Sequence, residues 1–319
     1  MRSKSGEFDF SWLFAIIVGA MILVLAIYGV VRLSDTQRYQ ADTETAKKIE
    51  ILTNPLQAGF AEGKFGTIEF RQTTRINNLC SSEKFGENKI SVSTQSSIGD
   101  EWKMAGGEIS VHNKYIFSSE NQEGDNFYVL SKPFYFPFKV SDLTIMTSDK
   151  ENYCFVDAPE IIEEDVLGLN IPNVFVENCS SAVDYVRVCF GAFGNCDIVV
   201  RGSCSSNCGE WDFYDTGIVE KNGATMSYIG NLLFGAIFSD ENVYECNVKR
   251  LMYRASQIAE GFAERTDLMT ARGCNTNLKA DMVYLQGLTG NASSSNLVGI
   301  YQVAKQTELK NEQELCGLW

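Results

Sequence analysis

The chain has 319 residues, of which 45% are hydrophobic, and a formal net charge of −14. An acidic chain repels phosphate backbones and anionic lipid head groups, so nucleic acid is not expected as a partner. The simpler interpretation of this charge is solubility, and the apolar fraction can fill the core of one large domain or two smaller ones.

A charge-free apolar run occupies residues 10–31, after a polar segment at residues 1–9 that contains Arg2 and Lys4. At about 1.5 Å per residue this run forms a helix of about 33 Å, enough to cross the hydrocarbon core of a bilayer. It is too long for a signal-peptide core, and no small-x-small cleavage motif follows it. It predicts an uncleaved transmembrane anchor in contact with membrane lipid, with residues 1–9 as a cytoplasmic leader.

Two arguments about the orientation of this anchor oppose each other. Basic residues, including Arg32 and Arg38, follow it closely, and the positive-inside rule then favours an external N-terminus. Large domains, however, translocate largely regardless of charge, and ten cysteines outside the anchor favour an oxidising compartment. We therefore expect a single-pass cell-membrane protein whose large domain is extracytoplasmic.

The residues that follow the anchor are predicted to continue as helix before strands begin. Residues 32–63 are expected to form a helical stalk, because residues 34–53 contain no Gly or Pro and Gly63 is suited to end the last helix. Residues 64–239 are expected to form an antiparallel β-rich domain, because short alternating or β-branched runs recur between Gly-, Asn- and Ser-rich connections. The predicted fold class is therefore α+β.

Two predictions concern strands late in the β-rich domain. Residues 185–190 and 197–201 lie on either side of the five-residue loop 191–195, whose length favours a hairpin. Residues 227–238 are predicted to form one long strand in which Gly230 and Gly235 are bulges.

An alternating aromatic segment consists of Phe134, Phe136 and Phe138, with Pro133 and Pro137 between the rings. Proline cannot donate to a sheet ladder, so this segment is predicted to be an edge strand or no strand at all. One interpretation is an aromatic face packed on the core. The other is an exposed edge that contacts a partner or a glycan.

Residues 240–319 change to the 3.6-residue period of a C-terminal helical domain. The first helix follows a Ser-Asp cap, and further helices are predicted at residues 276–288 and 295–311. In an up-down-up arrangement, Cys274 and Cys316 become neighbours. Cys246 then lies at the opposite end, facing the β region.

The ten cysteines predict disulfides, since an even number is spread over the whole domain beyond the anchor. Besides Cys274 and Cys316, the candidate pairs by spacing are Cys189 with Cys196 and Cys204 with Cys208. Zinc is the alternative for residues 189–208, but paired Cys-x2-Cys knuckles are missing and the single histidine, His112, is far away in sequence. No metal or cofactor is expected.

No catalytic constellation is visible in the sequence. One histidine cannot supply the usual nucleophile and base pairs except around His112 itself. Asp212 and Asp215, beside Trp211 and Tyr214, are open to two interpretations, a small polar site or a polar loop with aromatic packing. Two Asn-x-Ser triplets, at Asn178 and Asn291, are candidates for N-glycosylation.

A basic leader with Lys4 and Gly6, followed by a hydrophobic helix, a stalk and a β-rich head, resembles type IV pilin-like proteins and single-anchor surface proteins of archaea. The resemblance covers about the first 55 residues. It implies leader cleavage after Gly6, with Glu7 as the new N-terminus. The sequence departs from the family pattern at Ser11, where bacterial pilins carry Glu.

These observations predict a non-enzymatic, membrane-anchored extracytoplasmic protein with a structural or interaction role and protein partners in the cell envelope. The alternative, from another class, is a membrane-tethered enzyme or ligand-binding receptor. A deep polar pocket near Asp212 and Asp215 would favour the alternative.

Overall fold

A computed structural model describes residues 12–33, 43, 46, 65–96, 101–177, 179, 184–191, 195–202 and 214–319. The first described element is helix α1 (Trp12–Leu33), which has 22 residues and a mean hydropathy of 2.8 in its most apolar window. None of that window is buried by the rest of the protein, so one helix of the described chain is long and apolar enough to cross a membrane. This agrees with the predicted anchor.

The first sheet has six strands in the order β3-β2-β1-β5-β6-β4. Its members are β1 (Phe65–Ser81), β2 (Glu87–Thr94), β3 (Ile109–Val111), β4 (Tyr115–Phe117), β5 (Asn121–Tyr135) and β6 (Lys139–Ser148). All neighbours are antiparallel except β4 and β6. Pairing of β1 with β5 ends at Phe65 and Leu130, so Pro133 pairs with β6 on one side only. Pro133 thus lies where β5 has one described strand neighbour, a position in a sheet that tolerates proline.

The second sheet also has six strands, in the order β12-β11-β10-β9-β7-β8. Its members are β7 (Tyr153–Val156), β8 (Val174–Val176), β9 (Val186–Phe190), β10 (Ile198–Gly202), β11 (Thr216–Lys221) and β12 (Ala224–Ile229). The predicted hairpin is wrong: β9 and β10 run parallel, with Ile198 beside Val188. The length of the loop favoured a hairpin, but the amino-acid composition of β9 and β10 is compatible with parallel as well as antiparallel pairing.

The head is defined as residues 64–319, and its described part contains six helical elements. They are α2 (Glu160–Leu169), α3 (Leu232–Phe238), α4 (Glu241–Ala271), α5 (Lys279–Thr289), the 3-10 turn η1 (Ser294–Asn296) and α6 (Leu297–Gln313). The three C-terminal helices of the prediction are present as α4, α5 and α6. The predicted strand at 227–238 is wrong beyond Ile229: the chain turns at Gly230, whose φ is +47°, and continues as α3.

The main core lies between the sheets and helices α3, α4, α5 and α6. A second, smaller core lies against the first sheet and includes Ile76, Ile90 and Phe127. Ala46 is fully buried in this second core. Of residues 34–64, the structure describes Thr43 and Ala46, both helical, so the complete stalk stays a prediction.

Candidate functional site

Four disulfides join described cysteines, and they include two of the predicted pairs. Cys189 bonds to Cys196 and Cys274 to Cys316, as predicted. The other bonds are Cys80–Cys246 and Cys154–Cys179, and the Cα–Cα distances of all four pairs are 6.0–6.1 Å. The placement of Cys246 towards the β region is confirmed by its bond to β1. Cys204 and Cys208 lie outside the described residues.

The junction between α4 and the first sheet is built around Arg250, whose side chain is fully buried. Its Nε donates to the Phe85 carbonyl at 2.8 Å and its Nη2 to the Lys114 carbonyl at 2.9 Å. Nη1 donates to the side-chain oxygens of Asn88 and Asn247. Every one of these acceptors is neutral, so the guanidinium is held by hydrogen bonds and by no described carboxylate.

Burial lowers the pKa of Arg250 to about 10, while the nearby Tyr115 and Glu87 oppose that shift. The guanidinium carbon lies 4.9 Å from the centre of the Tyr115 ring, which adds a cation–π contact. At neutral pH the side chain therefore stays charged inside the protein. A buried cation costs several kcal/mol unless its donors are satisfied, and here they bind four oxygens on the sheet, the adjoining loops and α4.

Asparagines extend this junction into the sheet. Asn78 donates to the Ile116 carbonyl at 3.1 Å and to the Ser118 hydroxyl at 2.9 Å. Asn88 donates to the Asn78 side-chain oxygen at 2.9 Å, and Asn247 donates to the same Ile116 carbonyl at 2.8 Å. A connected and satisfied network of this kind fixes one orientation of α4 on the sheet. Sequence reasoning missed it, because isolated Asn and Arg residues appear as solvent-facing positions.

The three aromatic rings at the end of β5 and in the turn that follows it correct one of the predictions. Phe134, Phe136 and Phe138 are each 2% exposed or less. Phe138 packs on Phe262 and on Trp319, at ring-centre distances of 5.0 and 5.6 Å. The prediction of an exposed interaction edge at these three residues is therefore wrong. The structure agrees with the alternative, an aromatic face packed on the core.

A polar cluster surrounds Asp215, one of the two acidic residues singled out in the sequence. The Tyr301 hydroxyl donates to Asp215 Oδ2 at 3.1 Å, and the Lys305 ammonium lies 5.6 Å from the Tyr301 ring centre. Burial and the Asp215 charge raise the pKa of Tyr301 to about 12, so this phenol is a donor and not a base at neutral pH. Asp212 lies outside the described residues.

The hydroxyl of Tyr228, near this cluster, is buried without a described hydrogen-bond partner. Tyr228 is paired with Gly217 of β11. A Cβ added to Gly217 would lie 2.7 Å from the Tyr228 hydroxyl. Burial raises the pKa of Tyr228, and the neighbouring Tyr214 and Asp215 raise it further. The cluster therefore supplies proton donors and one carboxylate, but no described group activated as a nucleophile.

A polar cleft of about 250 Å³ lies where the two sheets meet the start of α4. Lys221 donates from it to the carbonyls of Ile237 and Ser239, both at 3.1 Å. These carbonyls belong to the C-terminal end of α3, where a cation is favourable. Burial lowers the pKa of Lys221, while Asp240 and Glu151 oppose the shift. Lys221 is thus engaged in capping a helix.

The predicted glycosylation residue Asn291 lies exposed in the turn between α5 and η1. It lines a cleft of about 320 Å³ together with Ser82, Lys84, Lys249 and Tyr253. The other candidate, Asn178, lies outside the described residues, as does the predicted cleavage residue Gly6.

The outward face of α5 is apolar and open. Val283 and Tyr284 are 51% and 59% exposed, and with Ala280, Gly287 and other residues of this segment they line a shallow groove of about 810 Å³. Among the described residues, no group of three or more His, Cys, Asp or Glu side chains is placed to hold a metal ion.

Comparison of the chain with protein-family models, with curated proteins and with solved structures finds no match.

Proposed function

We propose that this chain is a non-enzymatic, single-pass membrane protein whose disulfide-bonded head acts outside the cytoplasm as a structural or interaction module of the cell envelope. The observation that carries the proposal is the unburied apolar helix α1 on a chain whose described head cysteines form four disulfides. An apolar surface of 22 residues needs lipid or another apolar cover, and disulfides persist in oxidising compartments.

The anchor and the head are close together along the chain. Nine residues lie between Leu33, at the end of α1, and Thr43, so even a fully extended connection reaches about 35 Å. The Gly107 amide donates to the Thr43 hydroxyl at 2.8 Å, and Ala46 is buried against the first sheet. The head therefore stays near the membrane surface, which suits a protein that presents a fixed module there.

Helical residues that pack on the first sheet soon after α1 in the sequence also support the pilin-like proposal. Thr43 and Ala46 are helical and lie three residues apart, nearly one turn. In this proposal Gly6 is the last residue of a cleaved leader and protein partners pack along the anchor. Membrane lipid then contacts the apolar helix of each free copy.

The test is the intact mass of full-length protein extracted from membranes and alkylated with and without prior reduction. A chain whose described cysteines are all oxidised supports an extracytoplasmic head. A start at Glu7 supports the pilin-like proposal, whereas a start at Met1 contradicts it and leaves a signal-anchored surface protein. Ten free thiols would contradict the whole proposal, including the extracytoplasmic position of the head.

A second candidate function, a tethered ligand-binding receptor, is favoured by the unpartnered Tyr228 hydroxyl beside Asp215. A ligand with a hydrogen-bond acceptor would satisfy this buried donor. The discriminating measurement is a thermal-shift screen of small polar ligands against the full-length protein and its Y228F variant. Stabilisation of the parent protein alone would support the receptor, and no response from either would leave the first proposal in place.

A further inference from the structure

The turn that carries Asn291 is held by contacts that do not use the asparagine side chain. The Ala292 amide donates to the Thr289 carbonyl at 3.1 Å, and the Ser294 amide donates to Glu245 of α4 at 3.1 Å. Asn residues in turns commonly bond to their own backbone. Here no hydrogen bond to the Asn291 carboxamide occurs within the described part of the chain, so the turn leaves this amide available.

The cleft beside Asn291 has the chemistry of a sugar-binding floor. Tyr253 supplies an aromatic ring that packs edge-to-face on Phe85 at 5.0 Å, and Phe85 is 44% exposed. Lys84, Lys249 and the Ser82 hydroxyl add hydrogen-bond donors around that ring. A sugar can place its C–H face on an aromatic ring and its hydroxyls on such donors.

We propose that Asn291 carries an N-linked glycan whose first sugar lies in this cleft. The inference rests on the proposed function, because it needs Asn291 on the extracytoplasmic side. The Asn291 amide nitrogen bonds to the anomeric carbon of an oligosaccharide carried on a polyprenyl phosphate or diphosphate. The bond from that carbon to the phosphate oxygen breaks, the phosphate leaves with the electron pair, and the amide nitrogen loses one proton.

The hydroxyl of Ser293, the third residue of the sequon, is engaged in the folded state. It lies 2.9 Å from the Ser295 hydroxyl at the start of η1, and the Ser293 backbone amide donates to the Asn296 side-chain oxygen at 2.9 Å. The sequon is thus folded into a helix start, so glycan transfer precedes the packing of α6. The folded head then has only to accommodate the sugar, which the exposed side chain and the adjoining cleft allow.

The experiment expresses the full-length chain in a host that N-glycosylates exported proteins and maps its peptides by mass spectrometry. We expect a glycan on the peptide that contains Asn291 in the parent protein and in S293T, which keeps both the sequon and the hydroxyl. The glycan should be lost in N291Q and in S293A. Free-thiol counts on each variant show whether the head was exported and oxidised.

An unmodified Asn291 in protein whose cysteines are oxidised would overturn this inference and leave the proposed function standing. An unmodified Asn291 together with free thiols would overturn both. The position of the sugar has its own readout, the acylation rate of Lys84 before and after enzymatic removal of the glycan. We expect a severalfold rise at Lys84 and no change at Lys279 on α5; equal rates at Lys84 would overturn the cleft assignment.

Discussion

Cys246 and Arg250 lie one turn apart on α4, and both fasten this helix to the first sheet. Cys246 is bonded to Cys80 of β1, and Arg250 donates to Asn88 of β2. The first link is covalent, and the second is a buried cation surrounded by neutral oxygens. Together they fix the position of a 31-residue helix, which is the largest helical element of the head.

Replacement of Arg250 by Met should lower stability by about 3–5 kcal/mol, because the Phe85 carbonyl and the buried Asn247 side-chain oxygen lose the donor that Arg250 supplies. For a head of this size the loss corresponds to a fall in Tm of about 10 °C. The measurement is thermal unfolding of the full-length protein in detergent. The control is R201M, since Arg201 pairs with Glu220 on the surface and its loss should change stability by less than about 1 kcal/mol. Equal effects of both variants would contradict the role given to Arg250.

Loss of the Cys80–Cys246 disulfide should cost more than loss of Cys274–Cys316. The first bond closes a sequence separation of 166 residues and the second one of 42. In the chain-entropy model this difference is worth about 1 kcal/mol at 25 °C. The measurement compares Tm values of the two double Cys-to-Ser variants. A larger fall for Cys274 and Cys316 would show that the enthalpy of the native contacts, and not loop length, governs these bonds.

The sequence predicted the parts of the fold that depend on local periodicity. The apolar run predicted α1, and the 3.6-residue period predicted α4, α5 and α6 and thereby the Cys274–Cys316 pair. Prediction from the sequence failed where the structure of a segment depends on the distant segments that it packs against. The run Leu232–Phe238 is apolar at every position, so its period cannot distinguish a strand from the buried helix that it forms.

The junction at Arg250 could not be predicted for a related reason. The N-terminal half of α4 is buried on more than one face, and the buried residues include Cys246, Asn247 and Arg250. A helix that packs on a single core would have placed these polar side chains in solvent. Only the position of β1 and β2 on the other side of α4 explains their burial, and that position depends on long-range pairing.

Two glycines should respond in opposite directions to the same substitution by Ala. In α3, a Cβ on Gly235 would lie 2.8 Å from the Phe117 ring, so G235A should cost about 1–3 kcal/mol through overpacking. In α4, a Cβ on Gly261 meets no atom within 4 Å, so G261A should stabilise by about 0.5–1 kcal/mol through helix propensity. Thermal unfolding of both variants measures the difference. A gain for G235A would mean that α3 does not pack on Phe117 as described.

The phenol of Tyr301 should make stability fall at alkaline pH. Burial and the Asp215 carboxylate raise its pKa from 10.0 to about 12, so the folded state holds this proton more tightly than the unfolded state. The contribution of this shifted pKa to the free energy of unfolding is therefore complete below pH 10 and is lost as the pH rises towards 12. The pKa of Arg250, lowered to about 10, acts in the opposite direction, but it is present in every variant of Tyr301 and cancels in the comparison.

We therefore expect the Tm difference between the parent protein and Y301F to depend on pH. At pH 8 the variant loses the hydrogen bond to Asp215, worth about 1 kcal/mol, and should melt a few degrees lower. At pH 11 the difference in Tm between the parent protein and Y301F should become smaller or change sign, because the phenylalanine has no proton to lose on unfolding. The control is Y135F, because Tyr135 is 56% exposed. The difference in Tm between the parent protein and Y135F should be the same at both pH values. A constant gap for Y301F would show that the proton of Tyr301 is held equally in the folded and unfolded states.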